Sequence, residues 1–151
     1  MAGTTHAALP DSSPYAALGD EGDAAVALAS SLEKAQSADK NVLAIFGASW
    51  CHDSRALAGW LQTPRFRALA DREFEIVYID AGTPQQGKGR NLALAAGHGV
   101  SDITGTPSLL VLAPDGSLLN TPQDAKSWRN TASRSEEAIF AALEAYAALG
   151  A

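Results

Sequence analysis

Cysteine is nearly missing from this chain of 151 residues: Cys51 is the only one, and that scarcity excludes a good deal. One thiol cannot form an intramolecular disulfide, nor can it build a multi-cysteine zinc cage. Basic charge is also in deficit. Eleven Lys and Arg stand against 17 Asp and Glu, for a formal net charge of −6. Binding to a phosphate backbone needs clustered cations, so no nucleic-acid partner is expected. No apolar run approaches the length of a membrane span, so no membrane insertion is expected either. The first 20 residues lack the basic and continuous apolar regions of a leader. The chain as written therefore reads as cytoplasmic, or as periplasmic if a leader has been removed. A metal site at Cys51, His52 and Asp53 is not expected, because consecutive helical residues point about 100° apart and cannot all reach one ion.

What is present suits one folded domain, with 46% hydrophobic and 19% charged residues. Residues 1–20, punctuated by Pro10, Pro14 and Gly19, read as a flexible N-terminal lead with little to bury, and 21–151 as the domain. Asp23 is placed to cap a helix with Ala25, Leu28, Leu32 and Ala35 along one face. The apolar run Val42-Leu43-Ala44-Ile45-Phe46 predicts a buried strand. A helix opening at Cys51 carries Leu57, Trp60 and Leu61, with Gly59 a soft spot or kink. Thr63-Pro64 opens a further helix through Leu69. Phe74 to Asp80 is the clearest strand.

Residues 81–90 read as a loop, and Asn91 as the cap of a helix ending at Gly97. Ser108 to Leu112 reads as a strand, and Pro114-Asp115-Gly116 as a tight turn into another at 117–120. A polar loop follows, in which Trp128 is best placed to pin the loop to the body. Ser133-Arg134-Ser135-Glu136 matches a capping box for a last helix with Ile139, Phe140, Leu143 and Tyr146. This order predicts an α/β fold of three layers, a mixed central sheet flanked by helices.

The chemistry concentrates in Ser49-Trp50-Cys51-His52-Asp53-Ser54-Arg55. After the strand comes a small-residue turn, Gly47-Ala48-Ser49, and then the helix start, where unpaired N–H groups and the positive dipole end favour a thiolate. A partly exposed, reactive Cys51 is expected. His52 and Asp53 are open to two readings, groups acting on the sulfur or a solvated pair. Ser54 lies one helical turn on, within reach to donate to the thiolate, but cannot attack a mixed disulfide. Trp50 is an apolar wall beside the thiol. Arg55 reads as a surface charge, Asp80 as a turn residue and His98 as a polar cap.

The element order, with Trp50-Cys51 after the first core strand and Gly105-Thr106-Pro107 before the hairpin that starts at Ser108, resembles the thioredoxin superfamily over roughly residues 24–149. Within it, the chain looks closest to bacterial thioredoxin-like proteins with an Asn-Leu-Ala-Leu-Ala helix, here at Asn91. The resemblance implies a cis Pro107 facing the cysteine, and a Thr106 backbone that pairs with an extended substrate. It implies a thiol–disulfide oxidoreductase with Cys51 and Ser54 catalytic, and Trp50, His52, Asp53, Thr106 and Pro107 binding substrate.

Three residues depart from the family pattern. Ser54 stands for the resolving cysteine, Ile45 for the buried Asp of thioredoxins proper, and Gly59 for a helix-kinking proline. A single-cysteine route follows, through mixed disulfides with protein or glutathione-linked substrates, of isomerase or deglutathionylation type. No tightly bound cofactor is expected, glutathione or another external thiol serves as co-substrate, and the protein is expected to be a monomer. The alternative is a redox-inactive module that holds a peptide in the cis-proline groove.

Overall fold

The run at 42–46 becomes the middle strand of the sheet because neither of its faces meets water. In the computed structural model, which describes residues 9–15 and 21–150, β1 (Asn41–Gly47) pairs in parallel with β2 (Phe74–Asp80) and antiparallel with β5 (Ser108–Leu112). The strand order is β2-β1-β5, a mixed sheet. Side chains alternate across a strand, so Leu43 and Ile45 enter one core while Val42, Ala44 and Phe46 enter the other. Against the first face pack α2 (His52–Gln62), α3 (Pro64–Glu73) and α6 (Glu136–Ala147); against the second pack α1 (Glu21–Ala38), α4 (Leu92–Gly97) and α5 (Pro122–Ser127). The three-layer arrangement is as the residue patterns predict.

Several details differ from the sequence reading, each for a local reason. Residues 117–120 do not form a full fourth strand: only a Leu112–Leu118 bridge is made. The side chain of Asn120 takes over, accepting from Val111 N and donating to Leu109 O, both at 3.0 Å, so an amide group covers the edge of β5. The segment read as a loop at 81–90 is a short ribbon, β3 (Gly82–Thr83) against β4 (Lys88–Gly89), closed by a 3₁₀ turn at Pro84–Gln86. The polar loop before the last helix is itself helical, α5 followed by a 3₁₀ segment at Trp128–Ser133.

Capping differs too. Ser135, not Ser133, caps α6, its hydroxyl accepting from Ala138 N at 3.1 Å. Asn91 precedes α4 with a left-handed backbone and makes no side-chain cap; its amide donates to Asp80 O at 2.7 Å. Asp23 lies inside α1 rather than before it, and the buried stripe runs through Ala24, Leu28 and Ala35, with Ala25 exposed.

The largest correction concerns the N-terminal lead. Residues 1–8 and 16–20 lie outside the described residues, but 9–15 cross the back of α2 and end in Tyr15, which is wholly buried in the first core. Gly59 belongs to this crossing and does not mark a kink. A Cβ there would stand 2.3 Å from Asp11 N and the Pro10 carbonyl carbon, so only glycine admits the strap.

Candidate active site

β1 ends at Gly47 beside the start of α2, and the turn between them carries the only thiol. Cys51 N donates to Ala48 O at 3.1 Å, and Cys51 O accepts the first helical bond from Arg55 N at 3.0 Å. Cys51 is therefore the N-cap residue, but its side chain makes no cap bond. Its Sγ turns across to the next segment and donates to the Thr106 carbonyl at 3.4 Å. The Thr106–Pro107 peptide is cis. The sequence-predicted pair, Cys51 and Thr106-Pro107, thus meets in space across 55 positions of chain.

Cys51 is more enclosed than its polar neighbours suggest, at 6% exposure rather than partly open. Thr106, also buried, stands on one side of it, and α2 covers the other. An open groove of about 490 Å³ adjoins the thiol, lined by Trp50, Cys51, His52, Gln85, Thr106 and Arg129. Trp50 is 49% exposed, with its indole N–H donating to Gly82 O at 3.0 Å, so the β3–β4 ribbon holds the ring as a wall. On its far side lies a second hollow, bordered by Lys88 and by Arg90, which pairs with Asp80 at 3.2 Å. Asp80 is a turn residue, as read: its carboxylate also accepts from Gly82 N at 3.0 Å.

The remaining motif residues separate into different tasks. His52 is exposed at the rim. Asp53 borders the groove, but its carboxylate is committed elsewhere, accepting from Ala132 N at 2.8 Å and so joining α2 to the 3₁₀ segment at 128–133. Ser54 is fully buried, and its Oγ accepts from Ala48 N at 3.2 Å. That bond fastens the turn below the thiol, which corrects the expectation of a hydroxyl aimed at the sulfur. Arg55 bridges Asp11 and the Ser49 carbonyl at the surface. His98 follows α4 at its C-cap position, its backbone N–H donating to Ala95 O at 3.0 Å, while its ring bonds Gly116 O through Nδ1 at 2.9 Å and ties the helix end to the 114–116 turn. Among the described residues no group of three His, Cys, Asp or Glu side chains is placed to hold a metal ion.

Two contributors escape the sequence reading. Arg129 reaches the groove from the far segment, packed on Gly105. Tyr15 comes up from beneath, its hydroxyl donating to Ser54 O at 3.1 Å. A signal for it was present: Tyr15 is the only Phe, Trp or Tyr among the first 45 residues, and it follows Pro14. Ile45, where a buried acid was noted as missing, is fully enclosed in the same core. Burial pushes the Tyr15 pKa well above that of an ordinary phenol, and the nearby Tyr78 and Cys51 add to the effect.

Comparison with known proteins agrees with this geometry. A family model described as thioredoxin-like matches residues 23–114. The crystal structure of a disulphide isomerase from Xylella fastidiosa Temecula1 superposes with a TM-score of 0.71 at 30% sequence identity, covering 82% of this chain and 90% of that one. No curated protein gives a match.

Proposed function

This chain belongs to the thioredoxin-like family, and we propose that it works there as a thiol–disulfide oxidoreductase using Cys51 alone. The observation that carries the reading is the placement of Cys51 Sγ: at the start of α2, 3.4 Å from the Thr106 carbonyl, beside an open groove. In its thiolate form this sulfur is the nucleophile. When the thiol ionises, it ceases to donate to Thr106 O. That carbonyl is then free to accept a backbone N–H from an extended substrate chain.

The thiolate attacks one sulfur of a substrate disulfide, forming a Cys51–substrate disulfide and releasing the other sulfur as a thiolate. Resolution comes from outside the motif, because Ser54 has no sulfur. An external thiol such as glutathione attacks the mixed disulfide, forms a disulfide with the released substrate and restores the Cys51 thiolate. If the attacking thiol belongs to the substrate itself, the disulfide is moved and no net electrons are transferred. Trp50 and Thr106-Pro107 line the path of the substrate, His52 stands at its rim, and Arg129 offers positive charge there.

The test is mass spectrometry of the adduct formed with oxidised glutathione, alongside dithiothreitol-coupled insulin reduction. Wild type should form an adduct that excess reduced glutathione removes, and should reduce insulin poorly. Cys51→Ser should form none. Ser54→Cys should gain reductase activity, since two thiols one turn apart can close a disulfide. The enclosure of Cys51 favours a second reading, a peptide-binding module without turnover. It becomes the better one if wild type forms no adduct and Ser54→Cys stays inert while folded.

A further inference from the structure

The strap at 9–15 is fastened to α2 at several points. Ser12 N donates to Arg55 O at 3.1 Å, the Arg55 guanidinium pairs with Asp11 at 3.2 Å, and Pro10 and Asp11 lie in the gap left by Gly59. Its last described residue is the one that reaches the site. The Tyr15 ring stands edge-on to Tyr78, centroids 5.5 Å apart, and fills the space over Gly47, where a Cβ would meet ring carbons at 2.6 Å. A Cβ at Gly47 would also meet Ser54 Oγ at 2.8 Å, so ring, glycine and serine form one close-packed seat.

The turn seated there, Gly47-Ala48-Ser49, is tied at its carbonyls, Gly47 O accepting from Ala81 N at 2.7 Å, Ala48 O from Cys51 N at 3.1 Å and Ser49 O from the Arg55 guanidinium at 3.1 Å. Ser54 ties it from below. Its hydroxyl takes the Ala48 N–H, and its carbonyl takes the Tyr15 hydroxyl. A shift of Ser54 therefore moves both the turn before Cys51 and the first helical turn after it.

We propose that Tyr15 is a positioning residue for the thiol: through Ser54 and Gly47 it holds the turn that points Cys51 Sγ at Thr106. The strap is then part of the site and not a lead to the domain. Its consequence for disulfide exchange rests on the single-thiol reading above; its consequence for the enclosure of Cys51 does not. With its ionisation pushed upward by burial, the Tyr15 hydroxyl keeps its proton and remains a donor.

Two rates on the full-length protein test this, the alkylation of Cys51 by iodoacetamide and the formation of the glutathione adduct. Tyr15→Phe keeps the ring and removes the donor. It should melt close to wild type, alkylate about fivefold faster as the enclosed thiol loosens, and form the adduct about fivefold more slowly as its aim is lost. Tyr146→Phe, which also loses a buried hydroxyl but one bonded to Trp128 and Asp124, should match wild type in both rates. A residue that merely stabilises the fold would not move the two rates in opposite directions. Rates in Tyr15→Phe that move together, or not at all, overturn the proposal.

If wild type forms no adduct, the single-thiol reading fails, and the alkylation rates decide alone. Faster alkylation in Tyr15→Phe than in both wild type and Tyr146→Phe then supports the positioning role, and equal rates overturn it. Should Tyr15→Phe not fold, Asp11→Asn loosens the strap from outside the core. It should speed alkylation about twofold, and an unchanged rate there overturns the proposal.

Discussion

Two buried polar regions adjoin β5, and they are built on opposite principles. Along its edge, Asn120, Asp124, Trp128 and Tyr146 form a closed network. Asn120 bonds two β5 backbone groups and Asp124, Tyr146 donates to Asp124, and Trp128 Nε1 donates to Tyr146 Oη at 2.9 Å. Arg134 lies over the Trp128 ring, 4.1 Å from its centroid. Where β5 begins, Thr106 Oγ1 and Ser108 Oγ are buried on either side of Pro107 with no hydrogen-bond partner. An unmade bond to a buried group costs roughly 1–3 kcal/mol. The network thus satisfies its polar groups, whereas the mouth at Pro107 leaves two unsatisfied; Trp60 Nε1 and Asn91 Oδ1 are also buried without a partner, so the mouth is not alone in this.

The heaviest blow to the comparison falls on the network. Trp128 is fully buried, so Trp128→Ala should cost about 3–5 kcal/mol in denaturant unfolding, while the folded fraction still forms the glutathione adduct. A loss under about 1 kcal/mol would mean that the network is not what holds this side together.

Next come two tyrosines, Tyr146 of the network and Tyr78 of β2, which stands against Tyr15. Burial raises the Tyr78 pKa to about 12, against an ordinary value of 10.0, and burial together with Asp124 raises that of Tyr146. Each folded-state pKa lies above the unfolded one. Their contribution is therefore fully present below about pH 10 and is lost as pH rises through the folded value. Unfolding free energy should fall across pH 10 to 12, by up to about 1.4 kcal/mol per pH unit for each tyrosine. Tyr78→Phe and Tyr146→Phe should each flatten that slope, measured by denaturation at stepped pH. An unchanged slope in both would refute the linkage.

The smallest effect has the opposite sign. Thr106→Val and Ser108→Ala remove hydroxyls that have no partner, so stability should stay level or rise by up to about 1 kcal/mol. A loss above that size in either variant would show that the mouth is satisfied after all and would erase the contrast.

Much of this architecture is legible along the chain. The strands at 74–80 and 108–112 have the bounds their residues predict, because β-branched and aromatic runs between turn signals leave little choice. Cys51 and Thr106-Pro107 are legible as a pair through the resemblance. Three of the failures share one form. The strand expected at 117–120 is displaced by the side chain of Asn120, the cap expected from Asn91 is lost to the Asp80 carbonyl, and the hydroxyl of Ser54 turns to Ala48. In each case a polar side chain bonds a backbone group that local pattern assigns elsewhere.

By itself, the sequence determined the layers, the central strand and the position of the single thiol after it, since periodicity and turn signals act within a few neighbouring positions. Only the tertiary structure decided how enclosed that thiol is, which partners Asp53 and Ser54 take, and that Tyr15 reaches the site from 39 positions before Ser54. The reason is physical. A buried hydrogen-bonding group takes whichever partner packing brings within about 3 Å, and packing joins segments whose separation along the chain leaves no periodic trace.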